Sequence, residues 1–214
     1  MNKAKTILKI YRKMFDALGP QRWWPGETPF EVVIGAILTQ NTNWSNVEKA
    51  IRNLKAAGRL SPEGIHELDV TELAQLIRPS GFFNVKARRV KAFINWLFSR
   101  HEGSLSKMFA QDLEILRDDL LSVKGIGPET ADSILLYAGN FPTFVVDAYT
   151  HRIFSRHGFI PEESTYDEMK SFFEGNLPKD VKLYNEYHAL LVNIGKIFCK
   201  PKKVCEPCPL RDFL

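Results

Sequence analysis

At 214 residues, 44% of them hydrophobic and 25% charged, the chain is long enough to bury a core as one large domain or two small ones sharing a cleft. No apolar run approaches the roughly 20 residues that a membrane helix needs, and the basic N-terminus lacks the apolar core of a signal peptide. Those classes are excluded, and a cytoplasmic protein is expected. The formal net charge of +4 suits a nucleic-acid partner without requiring one.

Helical periodicity runs along the chain and strand alternation is almost absent, which predicts an all-α fold of about nine or ten helices. Thr28-Pro29-Phe30-Glu31 reads as a helix start, with Thr28 as cap, Pro29 at the first position and Glu31 reaching back. Phe30, Val33, Ile34, Ile37 and Leu38 follow it on one buried face. Trp44, Val47, Ile51 and Leu54 mark a second helix, and Val90, Phe93, Ile94, Leu97 and Phe98 a later one. Thr71 and Thr165 are expected to cap two more, the latter with Glu168 three residues on. Residues 181–199 read as a long C-terminal helix with Tyr184, Tyr187, Leu191 and Ile194 on one side.

Residues 113–138 carry the most information. Leu113, Leu116, Leu120 and Leu121 form one helical face; Ala131, Ile134, Leu135 and Ala138 form another. Between them Lys124-Gly125-Ile126-Gly127-Pro128 can only reverse the chain. Its glycines leave no side chain over the amides. Pro128 can open a helix whose exposed N–H groups and positive dipole end suit a phosphate oxygen. Such a turn grips DNA backbone without reading bases.

This hairpin, followed by Val145-Val146-Asp147, resembles the signature of the helix-hairpin-helix (HhH-GPD) DNA glycosylases of the endonuclease III branch. The stretches Ile37-Leu38-Thr39-Gln40-Asn41-Thr42 and Gly81-Phe82-Phe83-Asn84-Val85-Lys86-Ala87 agree, so the resemblance spans nearly the whole chain. It implies two helical domains with a DNA-binding cleft between them. One is a bundle over 23–137; the other joins 1–22 to 138–214. It further implies a monovalent cation at the hairpin, held by the carbonyls of Leu121, Val123 and Ile126. Lys124, Gly125 and Gly127 would contact DNA, and Gln40 matches the glutamine that relatives push into the gap left by a flipped nucleotide.

Base excision requires the nucleotide to leave the stack, and departure of the base leaves positive charge on the sugar. A fixed carboxylate stabilises that charge and orients the attacking water. By resemblance that carboxylate is Asp147, although an aspartate before the helical run 149–157 also reads as an N-cap. Relatives that also cut the strand carry a lysine early in the second hairpin helix, whose amine forms an imine with the sugar. Glu129 stands there instead. A monofunctional glycosylase that leaves an abasic site is expected, with a lyase using Lys124 or a non-catalytic DNA-binding protein as the alternatives. Glu129 lines the base pocket or only favours its helix dipole.

Trp23-Trp24-Pro25 and Trp44 offer aromatic faces on which an alkylated, positively charged purine would stack, whereas Trp96 reads as core. Together with Glu129 and the Leu-Thr-Gln-Asn-Thr run, they look like the 3-methyladenine glycosylase subgroup. The expected partner is double-stranded DNA holding a damaged base, and a monomer is the simple expectation. The three cysteines, Cys199, Cys205 and Cys208, cluster near the end, which favours a metal site over disulfides. Their spacing resembles the family's [4Fe–4S] loop, where four thiolates hold the cluster. The fourth would fall at Leu214, leaving a non-cysteine ligand, a decayed site or a truncated chain open, with zinc as a weaker option. Lys196, Lys200, Lys202 and Lys203 make this tail basic.

Overall fold

The computed structural model describes residues 3–202 and 204–213, so Lys203 and Leu214 lie outside the described residues. In chain order the helices are α1 (Lys3–Leu18), α2 (Pro29–Leu38), α3 (Trp44–Ala56), α4 (Pro62–Glu67), α5 (Val70–Leu76) and α6 (Phe83–His101). There follow α7 (Leu105–Met108), α8 (Leu113–Ser122), α9 (Pro128–Ser133), α10 (Ala148–Arg156), α11 (Tyr166–Glu174) and α12 (Val181–Ile197). α9 continues with wider, π-type turns over Ile134–Ala138. No strand occurs among the described residues, and the fold is all-α. Among the described residues the α-helices number twelve, against the nine or ten expected, because α4 and α7, of six and four residues, are too short to display a hydrophobic period.

Chain contacts divide the molecule into two units. The first is Met1–Trp24 with Phe141–Leu214; the second is Pro25–Asn140. Trp23 and Trp24 thus belong to the discontinuous unit, not to the bundle. Neighbouring residues explain this: Gln21 receives a hydrogen bond from Asn193 and gives its backbone N–H to Glu186 (2.6 Å), both on α12.

In the continuous unit α2 is buried along almost its whole length. Thr28 caps it by accepting the Glu31 N–H at 3.2 Å. Glu31 reaches further back than expected, to the Glu27 N–H (3.3 Å), and pairs with Lys55 at 2.9 Å. Thr71 does not cap α5. Asp69 does, accepting from Thr71 N–H (2.6 Å) and Glu72 N–H (2.8 Å) while Glu72 returns to Asp69 N–H. A carboxylate two residues upstream outcompetes a hydroxyl already inside the first turn. The discontinuous unit centres on aromatic rings: Phe144 stacks on Phe173 at 4.1 Å and meets Tyr184 and Tyr187 edge-on. Tyr187 donates its hydroxyl to Ile7 O of α1 at 2.9 Å.

Candidate active site

Asp147 ends the extended segment after Asn140 and caps α10, with φ −128° and ψ −179°. Its Oδ1 accepts the Thr150 N–H at 2.7 Å and the Thr150 hydroxyl at 2.9 Å. Its Oδ2 takes no part in the cap and lies 3.7 Å from His188 Nε2. The Asp147 side chain remains 11% exposed, so the carboxylate is largely desolvated yet open to solvent. Burial holds the His188 pKa down, partly opposed by Asp147. The sequence reading missed His188, although its position, i+4 from Tyr184 and i−3 from Leu191, puts it on the buried stripe of α12.

The hairpin is built in the other unit. Val123 N–H bonds to Leu120 O at 3.1 Å as α8 ends, and Ile126 N–H bonds to Val123 O at 3.0 Å across the turn. Gly125 has φ +94°, and a Cβ there would press within 2.8 Å of Arg89 Cδ. Gly127 stands before α9 with no side-chain cap, and nothing lies within 4 Å of where its Cβ would be. The α9 amides are therefore uncovered at that point. Lys124 and Glu129 are exposed.

Gln40 is committed to this hairpin. Its Nε2 donates to Gly125 O at 3.1 Å and Thr130 Oγ1 at 2.9 Å, and its Oε1 accepts from Arg89. Entry into a duplex gap would require breaking all three bonds, so in the free protein Gln40 braces the turn. Lys86, 1% exposed, donates to Leu38 O (2.7 Å) and Ser80 O (2.6 Å). It ties the end of α2, just before Gln40, to the turn before α6. Desolvation, followed by the nearby Arg89, lowers its pKa to about 8. That turn presents Phe82, 70% exposed and at φ +45°. Neither Lys86 nor Phe82 was singled out from sequence; the signal for Lys86 was its i+4 spacing to Val90 on the buried face.

The aromatic candidates divide between the units. Trp23 and Trp24 meet edge-on at 5.6 Å, and Lys196 Nζ lies 5.8 Å from the Trp23 ring centre. One electron-rich face of Trp23 thus already holds a cation. Trp44, half-buried, donates its indole N–H to Glu48 at 2.8 Å; Pro25 is exposed. Trp96 is half-buried, against Phe93 and His101.

Cys199, Cys205 and Cys208 line one cavity of about 20 Å³ with Ile153, Ile194 and Phe198, room for roughly one water. Arg156 donates to Cys199 Sγ at 3.4 Å and to Lys200 O at 2.6 Å, while Arg152 donates to Cys199 O at 2.6 Å. Burial pushes the Cys208 thiol up. Among the described residues no group of three or more His, Cys, Asp or Glu is arranged to hold a metal ion. The tail supplies three of the four thiolates that a [4Fe–4S] cluster takes in the family it resembles.

Among known proteins, residues 34–179 match the HhH-GPD superfamily base excision DNA repair protein family. A provisionally named DNA repair glycosylase of Methanocaldococcus jannaschii is 51% identical over 214 residues, covering 99% of this chain and 97% of that protein. The crystal structure of H. pylori 3-methyladenine DNA glycosylase bound to 1,N6-ethenoadenine is 29% identical, with a TM-score of 0.76 over 92% of this chain and 98% of that one. A non-covalent endonuclease III–DNA complex shares the fold at a TM-score of 0.84 and 23% identity, over 100% of this chain and 95% of that one.

Proposed function

The chain belongs to the HhH-GPD superfamily of base excision DNA repair proteins, and from that premise we propose that it is a monofunctional DNA glycosylase. It hydrolyses the N-glycosidic bond of a flipped alkylated purine of the 3-methyladenine kind and leaves an abasic site. The observation that carries this reading is the pair of carboxylates: Asp147, capped through one oxygen and partly open, and Glu129, exposed where a lyase would need an amine.

The hairpin binds a backbone phosphate through the uncovered amides of α9. The carbonyls of Leu121, Val123 and Ile126, neutral oxygen donors in the turn, would hold a monovalent cation that adds positive charge for the phosphate. Asp147 stabilises the oxocarbenium-like sugar as the base departs and orients the incoming water. A carboxylate at position 129 cannot form the imine that strand cleavage requires, and Lys86, the buried amine, is held by two carbonyls.

Substrate choice follows from the aromatic groups and Glu129. Within the continuous unit Trp44 presents an indole surface and Glu129 supplies negative charge for a cationic base. Trp23 is less suited, because Lys196 already occupies one of its faces. The reading agrees with the 29% identity to a 3-methyladenine DNA glycosylase. The test is release of free bases from DNA treated with a methylating agent, separated by chromatography. Methylated adenine is the expected product; its absence removes the substrate assignment. Borohydride added to the protein with an abasic duplex should trap nothing, and a covalent adduct would establish lyase chemistry instead.

A further inference from the structure

Asp147 is secured through Oδ1 alone by its own helix, where Thr150 supplies both a backbone N–H and a hydroxyl. Those two donors leave the second oxygen unheld from within α10. It faces the ring of His188, which comes from α12 of the same unit and is 5% exposed.

We infer that His188 is a positioning residue for Asp147: its neutral imidazole, protonated at Nε2, directs that N–H at Oδ2 and fixes the orientation of the carboxylate. This inference rests on the reading of Asp147 as the catalytic group. At 3.7 Å the pair is too long for a hydrogen bond, but a displacement of less than about 1 Å would make one. Catalytic contacts of this kind tighten when substrate binds. The charge state matters as much as the distance. An imidazolium would neutralise Asp147 and weaken its hold on a cationic sugar, whereas a neutral donor orients the carboxylate and leaves its charge intact. Burial keeps the ring in that neutral form.

The test compares His188→Leu, which keeps bulk and removes the donor, with His188→Gln, which restores an N–H. Single-turnover base release, affinity for abasic duplex and melting temperature are measured for each. The Leu variant is expected to lose about 10- to 100-fold in rate, by analogy with the cost of removing a group that orients a metal ligand, with affinity unchanged. The Gln variant should recover most of the rate. Equal rates in the two variants, or losses that follow affinity or melting temperature, would overturn the inference. Nitrogen chemical shifts of the wild-type ring give an answer even if the Leu variant fails to fold, because a bare Nε2 facing the carboxylate would also overturn it. Asp147→Asn run in parallel separates the premise from the inference. Retained turnover there removes both, while a dead Asn variant beside a fully active His188→Leu removes the positioning role alone.

Discussion

Asp147 serves its helix with one oxygen and has the other to spare, so capping and catalysis can be pulled apart by substitution. Asparagine caps a helix as well as aspartate; Asp147→Asn should therefore leave stability within about 0.5 kcal/mol. Turnover should fall by at least about 10²-fold while lesion DNA still binds. A urea melt and a base-release assay on the same preparation check both halves, and surviving turnover would leave the residue only its cap. Lys86 makes a second case at this scale. Removing it as Lys86→Met strands two buried carbonyls and should cost about 1–3 kcal/mol at neutral pH. The sign of its pH effect is fixed by the depressed pKa. Between about 8 and the ordinary lysine value of about 10.5 the unfolded chain binds the proton that the folded chain has released, so stability rises with pH there. Tyr184, pushed up to about 12 by burial, acts in the opposite direction only above pH 10. Wild type should thus gain on Lys86→Met as pH is raised from 7.5 to 9.5 (roughly this window); a gap that stays constant would contradict the shift.

Among the helices, the hairpin offers the cleanest contrast because its two glycines are needed for different reasons. Gly125 adopts φ +94° against the Arg89 stem, so Gly125→Ala must strain the backbone and displace Arg89. A stability loss of about 1–3 kcal/mol is expected. Gly127 has ordinary φ and free space around it. Gly127→Ala should fold like the parent yet bind duplex DNA several-fold more weakly, since its methyl group sits at the entrance to the α9 amides. Undiminished affinity would argue against phosphate binding there. The turn itself was legible in the sequence, as were α2 and α11, because glycines and caps act over three or four residues. What held the turn in place was not legible: the partners of Gln40 lie 49, 85 and 90 residues away. Nothing local marks such a bond, and Gln40 read as a residue free to enter DNA. His188 and Asp147 meet across the same kind of distance. Thr71 failed as a cap for the opposite reason, a stronger local competitor at Asp69.

For the molecule as a whole, the charge balance is modest, 29 Lys and Arg against 25 Asp and Glu, so DNA affinity must come from where the cations sit. Composition hinted at a nucleic-acid partner but could not locate them. The structure leaves Lys124 exposed beside the hairpin in one unit, and Lys196, Lys200 and Lys202 exposed in the other. Each lysine that neutralises a phosphate releases counterions, which contributes about −0.9 to the slope of log affinity against log salt on duplex DNA. Lys124→Ala is therefore expected to flatten that slope by about 0.9 on damaged and undamaged duplexes alike. The rate of base release at saturating DNA should be unchanged, because a phosphate contact positions the strand without reading or altering the base. A slope that does not move would place Lys124 off the DNA. A rate that collapses with the slope intact would point instead to chemistry at that amine, the behaviour of a lyase, and would set the Glu129 argument aside.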